Sequence, residues 1–345
     1  MLNRYIAAAL SAALLTALTS CAADPFSTQP SASERDVFAM DTFMTMKAYG
    51  SEADTALEAA EARIRELEDE LSVTKQDSDI ARINSAGGEA VTVSPDTAAL
   101  VEAGVSFWQE TSGALDISIY PVLAEWGFTT GEYHVPDADT ISRLLKNVSG
   151  GSLSVSGSTV QIPPDSMIDL GALAKGYTGD EIMEIFRENG ISSAMISLGG
   201  NIQALGSKPD GSDWRIGIKD PFSPDENVCA VSISDKAVVT SGNYERYFTG
   251  DDGRVYWHIL DPSDGCPADN GLVSVTVIGE QGLTCDALST ALFVMGTDKA
   301  QTYLKEHTEV DAVLVADDGQ LFCTDGISGC LEMKNGKTAE VIARD

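Results

Sequence analysis

Positive charge is scarce in this 345-residue chain, where 22 Lys and Arg stand against 53 Asp and Glu for a formal net charge of −31. The acids are spread along the chain rather than gathered in one tail. Such a surface repels phosphate backbones and anionic headgroups, which argues against nucleic acid as a partner. A phosphate-bearing ligand must then be met locally by a metal, by backbone NH groups or by a few cations. Histidine is scarcer still, with only His134, His258 and His307, and none of the 6 cysteines forms a CxxC pair. A zinc site of thiolates and imidazoles is not expected, and any metal should be a hard cation on oxygen ligands. There is no GxxxxGK[ST] loop, and no GxGxxG lies between a strand and a helix, so a dinucleotide would need another architecture.

The N-terminal apolar run, residues 6–18, is also too short to cross a bilayer, which takes roughly 20 such residues. It follows Arg4 and leads into Leu18-Thr19-Ser20-Cys21. That layout reads as a signal peptide over residues 1–20. Its last four residues resemble a bacterial lipobox, in which Cys21 would be acylated and become the mature N-terminus. A diacylglycerol anchor brings the two chains that stable anchoring needs. The alternative is an ordinary secretory signal, and either way the folded part is expected on the extracytoplasmic side, held at the cell membrane if Cys21 is lipidated. Residues 21–34 then read as the lipidated Cys and a flexible tether rich in Ser, Ala and Pro, and residues 35–345 as a single large domain. The oxidising compartment would permit a Cys323 to Cys330 bridge, while the odd count beyond Cys21 leaves at least one thiol free.

Within the domain, residues 37–49 are rich in strand-formers. Residues 54–71 carry Leu57, Ala60, Ile64, Leu67 and Leu71 at steps of three and four, the pattern of an amphipathic helix. Ser94-Pro95-Asp96 orders a cap, a first-turn proline and an acid, starting a helix that runs to about Thr111. Further helices fit residues 172–189, with Gly190 as a left-handed cap, and residues 286–294 and 298–306. Strands fit residues 194–198, 214–219, 228–233, 255–260, 272–278 and 312–315. The elements intersperse without a regular β-α repeat, so the class is α+β.

Three stretches can carry chemistry. In residues 168–177, IDLGALAKGY, a carboxylate ends an apolar strand, Gly171 allows close backbone approach, and a helix follows whose free NH groups attract anions. Lys175 in its first turn opposes the helix dipole and is easier to explain beside an anion; alone, it reads equally as a surface lysine in a turn. In residues 285–292, CDALSTAL, Asp286 and Thr290 share a helix face and can both reach one Mg2+, although Asp286 also reads as a plain N-cap. In residues 240–246 followed by 257–262, strand alternation puts His258 and Leu260 on one face, with Asp261 at the turn made by Pro262. His258 could take a proton from a hydroxyl near neutral pH or be merely structural.

Together these stretches resemble the ApbE family of FAD:protein FMN transferases, over about residues 40–321. The resemblance also rests on Met40-Asp41-Thr42, residues 71–84, Ser112 to Asp116 with Trp126-Gly127-Phe128, Ser197-Leu198-Gly199-Gly200-Asn201, and residues 214–221, all in the family's order. It implies an ApbE-like fold of mixed sheets with packed helices, related to the T-fold. It implies that Met40, Ala114, Leu115, Asp116, Asp169, Lys175 and Leu260 line an FAD site. The Ala172 carbonyl, Asp286 and Thr290 would hold Mg2+, with Ser289 at a further position where some members have an acid. His258 or the nearby Asp261 would act as base. Thr74 departs from the family, where many members carry a flavin-pocket Tyr, and its loss would weaken stacking unless another aromatic replaces it. The implied activity moves FMN from FAD onto a Ser or Thr hydroxyl of an acceptor and releases AMP. Alternatives are a Mg2+-dependent FAD pyrophosphatase and a non-catalytic flavin-binding lipoprotein. The implied acceptors are flavin-bearing subunits of membrane electron-transfer complexes, such as the Na+-pumping NADH:quinone reductase or Rnf type, or secreted flavin reductases.

Overall fold

A computed structural model describes residues 30–344. The segments read as a signal peptide (residues 1–20), a lipidated Cys21 and a tether up to residue 29 lie outside the described residues. The edge strand Ala32–Ala39 begins inside the segment read as tether, because Ala32 to Glu34 pair with Tyr49 to Lys47.

Nine strands form the main sheet, in the order Ala32–Ala39, Thr42–Tyr49, Ala194–Leu198, Asn201–Leu205, Ala237–Gly242, Leu272–Gly279, Asp311–Ala316, Leu321–Thr324 and Ala339–Ile342. Neighbours run antiparallel except the last pair, which is parallel. One face carries the helices Ala53–Leu71, Ala174–Glu188 and Gly282–Glu306; the other carries a small sheet of Trp214–Asp220, Ser223–Ile233 and Leu331–Met333. The central Leu272–Gly279 strand is buried along its whole length, with Val275 and Val277 in the helix-side core and Val273 and Ile278 in the core beneath the small sheet. A sheet covered on both faces needs such a continuously apolar central strand.

The periodic segments fold as their spacing requires. Helix Ala53–Leu71 buries the whole predicted stripe from Leu57 to Leu71. Helix Pro95–Glu110 is capped by Ser94, whose Oγ accepts from the Thr97 amide. Gly190 closes Ala174–Glu188 at φ +74°. The two C-terminal helices are one element, Gly282–Glu306, interrupted at Gly296 with φ +76° and ψ 179°. A Cβ at Gly296 would lie 2.3 Å from the Asn270 carbonyl oxygen, so the break is locked by close approach as well as by dihedral. No helix among the described residues is long and apolar enough to cross a membrane.

One expectation is corrected, and a cysteine pairing left open by the sequence is decided. The strand read over residues 255–260 stops at Trp257, in the short hairpin of Tyr247–Thr249 with Val255–Trp257; Leu260 makes only an isolated bridge to Pro267. The chain turns there toward Pro262, so strand alternation does not set the direction of His258. Cys323 and Cys330 are not bridged: the former is buried, the latter exposed, and all five described cysteines are free thiols.

Candidate functional site

The floor of the site is made where two helices touch through glycine. Gly176 lies in the first turn of Ala174–Glu188, and a Cβ there would sit 2.3 Å from the Gly282 carbonyl oxygen. Only hydrogen fits that space, which lets the start of Gly282–Glu306 lie directly against the start of the other helix. Asp180 locks the crossing, with Oδ1 accepting from the Gly282 amide at 2.7 Å and Oδ2 from the Leu283 amide at 2.9 Å. These are orphan donors of a helix N-terminus, met by a carboxylate from a neighbouring helix. The crossing brings Asp286 against the first turn of Ala174–Glu188, where its Oδ2 accepts from the Gly176 amide at 2.8 Å.

Above this floor lies a cleft of about 830 Å³. Met40, Ala114, Leu115, Asp116, Asp169, Ala172, Lys175, His258, Leu260, Asp286 and Thr290 all line it, although they come from five separate stretches of chain. Met40 stands at the tip of the first hairpin, in a left-handed conformation (φ +50°), and its amide donates to Glu68 Oε1. The Asp116 carboxylate is spent on structure: Oδ1 accepts from the Ser118 amide and hydroxyl, and Oδ2 from the Gly150 amide. Asp116 therefore shapes the wall rather than offering a free charge. Arg246, which the sequence left unassigned, reaches Asp41 at 3.7 Å and donates to the Phe128 carbonyl, tying the hairpin tip to the opposite wall.

Two predicted residues do not line the cleft. Asp261 turns into its own loop, where Oδ1 accepts from the Ser263 amide at 2.8 Å and its amide bonds to the Cys266 carbonyl. Ser289 is fully buried, donates to the Asp286 carbonyl and bonds Ser241 Oγ at 2.8 Å. Thr290 bonds the same Ser241 Oγ at 3.3 Å but, unlike Ser289, also lines the cleft. Thr74 is exposed and bonded to Ser72, away from the cleft, whose aromatic lining is Phe43, Phe128 and Tyr244.

Burial dominates the electrostatics. It raises the Asp286 carboxyl above the ordinary carboxylate range, against the pull of Lys175. Asp169 is raised for the same reason, opposed by the Gly171 amide, Lys175 and Arg246. Two carboxylates on the floor thus lack full compensation, the condition that a bound cation relieves. His258 moves the other way: burial, then Arg246, then Lys175 disfavour its charged form, lowering its pKa to about 4. Its Nδ1 lies 3.2 Å from the Arg246 carbonyl, which can only accept, so Nδ1 carries the proton and Nε2 keeps a lone pair. At neutral pH the ring is a neutral imidazole.

A second group of candidate ligands, Glu110, His307 and Glu309, holds its ligand atoms within 4.8 Å of one another, yet none of the three lines the cleft. The cleft also holds a residue that the sequence analysis quoted without a role: Asn201, 3% exposed, whose side chain favours the charged form of the Asp286 carboxylate.

Comparison with known proteins agrees with this arrangement. Residues 40–314 match the model of the ApbE family. A Klebsiella pneumoniae FAD:protein FMN transferase is 35% identical over 257 residues, covering 73% of this chain and 79% of its own. One from Treponema pallidum is 33% identical over 299 residues, 81% of this chain and 82% of its own. Among solved structures, the Thermotoga maritima ApbE protein superposes with a TM-score of 0.82 at 32% identity, covering 87% of this chain and 99% of that one. The Pseudomonas stutzeri flavinyl transferase ApbE in its apo form gives 0.78 at 30% identity, covering 88% and 97%.

Proposed function

The chain belongs to the ApbE family, and on that premise we propose that it transfers FMN from FAD to a Ser or Thr hydroxyl of an acceptor protein and releases AMP. The observation that carries the reading is the floor itself: a buried carboxylate, Asp286, with Thr290 one turn on and Ala172 lining the same cleft, which is large enough for a dinucleotide.

The donor set fits Mg2+. Asp286, Thr290 and the Ala172 carbonyl offer only oxygen, and a raised carboxyl is what a divalent cation would compensate. Bound there, Mg2+ would neutralise diphosphate charge and polarise phosphorus. Ser289 is left out of this set because, although it and Thr290 share Ser241 Oγ at 2.8 and 3.3 Å, only Thr290 lines the cleft.

The chain's own residues supply the rest. Lys175 and Arg246 bring positive charge to a cleft in an otherwise acidic protein. His258 presents Nε2 as base: the acceptor O–H gives its proton to that nitrogen while its oxygen bonds the phosphorus on the FMN side. The bond from that phosphorus to the oxygen bridging to AMP breaks, and AMP leaves. The diphosphate opposes the two cations that depress His258, so the ring becomes a stronger base once FAD is bound. Catalysis is then mostly positioning and electrostatics.

Acceptors of the reaction would be flavin-bearing subunits of membrane electron-transfer complexes or secreted flavin reductases, reached from an extracytoplasmic anchor at Cys21. Incubation with FAD and Mg2+, alone and with a purified acceptor subunit, tests the reading by intact mass and nucleotide analysis. AMP released in step with an FMN adduct on the acceptor supports transfer. FMN freed to solution in both reactions points to a pyrophosphatase, and FAD bound but unchanged to a carrier.

A further inference from the structure

Strand alternation puts Phe38, Phe43, Ser197 and Ile202 on one face of the main sheet, the face that carries the small sheet. Their strand neighbours Val37, Ala39, Met44, Ile196 and Leu198 fill the core on the helix side. Phe38 and Phe43 stand opposite each other across the first hairpin, and further into the sheet Ser197 stands opposite Ile202. Ile202 packs into the core beneath the small sheet, together with Ile216. At the far end of the hairpin Tyr49 meets Trp214 of the small sheet, with 6.2 Å between ring centroids. The small sheet stops short of the hairpin tip, and leaves Phe38 63% and Phe43 64% exposed, the two highest values among the large apolar side chains of the described residues. Phe43, Ser197, Ile202, Ile216 and Lys219 line the cleft, yet none belongs to the FAD or Mg2+ set above. The cleft therefore has a second arm, which leaves the floor past the Gly199-Gly200 turn and opens on the two phenylalanines.

A single exposed apolar side chain is ordinary, whereas an adjacent aromatic pair at the mouth of a cleft marks a contact surface. Resting on the proposed function, we infer that this ledge docks the acceptor protein. An extended segment of the acceptor lies along the second arm, its Ser or Thr hydroxyl reaching His258 and a bulky apolar side chain close by in its sequence seated on Phe38 and Phe43. FAD occupies the other arm, so the hydroxyl must enter from the side that the dinucleotide leaves open. Phe43 makes the ledge continuous with the cleft, as the docking surface of a macromolecular substrate has to be. A membrane is a poor occupant, because Glu34 and Asp36 share the outer face of the strand with Phe38, Asp41 stands exposed at the tip, and anionic headgroups repel all three. An apolar contact also attracts a partner without needing it to oppose a net charge of −31.

The test is Phe38→Ser in the full chain. Phe38 belongs to no core cluster and lies outside the cleft lining, so folding and FAD binding should be unaffected. Initial rates of FMN transfer at saturating FAD and Mg2+ are measured against the concentration of a purified flavin-bearing subunit of a membrane electron-transfer complex. The inference expects KM for the subunit to rise about tenfold, the scale of one lost aromatic contact at an interface. It expects kcat, and FAD affinity by calorimetry, to stay at wild-type values. Phe38→Leu, which keeps the apolar contact, should restore KM to within about threefold of the wild type. Among serine substitutions of the apolar residues flanking the modified Ser or Thr of the subunit, one should raise KM with the wild type and add nothing with Phe38→Ser. A weakened FAD affinity overturns the inference by placing the ledge in the FAD site. So does a wild-type dimer in light scattering that Phe38→Ser dissociates, which would give the ledge to a second copy of the chain. A wild type that forms no FMN adduct on the subunit removes the proposed function along with it, whereas a wild type and a variant that label the subunit with the same KM remove this inference alone.

Discussion

Gly176→Ala is the perturbation that most directly tests how the fold makes the site. The added Cβ would stand 2.3 Å from the Gly282 carbonyl oxygen and 2.7 Å from the Asp286 Cβ. Ordinary contact begins near 3.4 Å, so the two helices must part by about 1 Å. Overpacking of this kind costs about 1–3 kcal/mol, and replacing a helical glycine by alanine returns up to about 1 kcal/mol. The protein therefore stays folded, with a net loss of about 0–3 kcal/mol. Activity suffers far more. The separation pulls Asp286 from the Gly176 amide, and a 1 Å misplacement of catalytic groups can cost about 10²-fold in rate. Urea denaturation measures the first quantity, and the initial rate of AMP release from FAD with Mg2+ measures the second. Gly190→Ala is the control: it strains a left-handed cap at φ +74° with nothing within 4 Å of the new methyl, far from the floor. It should lower stability by about 1 kcal/mol and leave the rate alone. A Gly176→Ala protein that turns over at the wild-type rate would refute the claim that this glycine contact sets the site.

Asp286→Ala should abolish AMP release at every Mg2+ concentration; wild-type turnover in that variant would end the metal assignment. His258→Gln should lower the rate by about 10²–10⁴-fold. Because the folded pKa is depressed to about 4, the neutral base is present above that value and lost as pH falls through it. The acid limb of kcat/KM, which reports the free enzyme, is thus expected near 4 rather than near 6.5, and a limb near 6.5 would contradict the burial argument. Ser289→Ala removes buried hydrogen bonds worth about 1 kcal/mol but should leave the Mg2+ dependence of the rate unchanged; a weakened dependence would restore Ser289 as a ligand. Cys21→Ala should release the protein from the membrane fraction, and full retention there would count against the lipid anchor.

Local chemistry made the helices legible in the sequence. The stripe from Leu57 to Leu71, the Ser94 cap before Pro95 and the stop at Gly190 are each decided within a few residues. So are the candidate ligands: an oxygen-only donor set follows from a chain almost without histidine or paired cysteine, and Asp286 and Thr290 are four apart on one helix. Long-range contacts decided the rest. No spacing rule reveals that Gly176 meets Gly282 106 positions later, that Asp261 spends its carboxylate inside its own loop, or that Ser289 points into the sheet. Nor could strand alternation place His258, because pairing with Tyr247–Thr249 ends one residue before it. Sequence fixes what a residue can do through its chemistry and its helical or strand neighbours. Which groups face one cleft, and which charges are left uncompensated there, depends on close approach between segments distant in the chain, and only packing makes that choice.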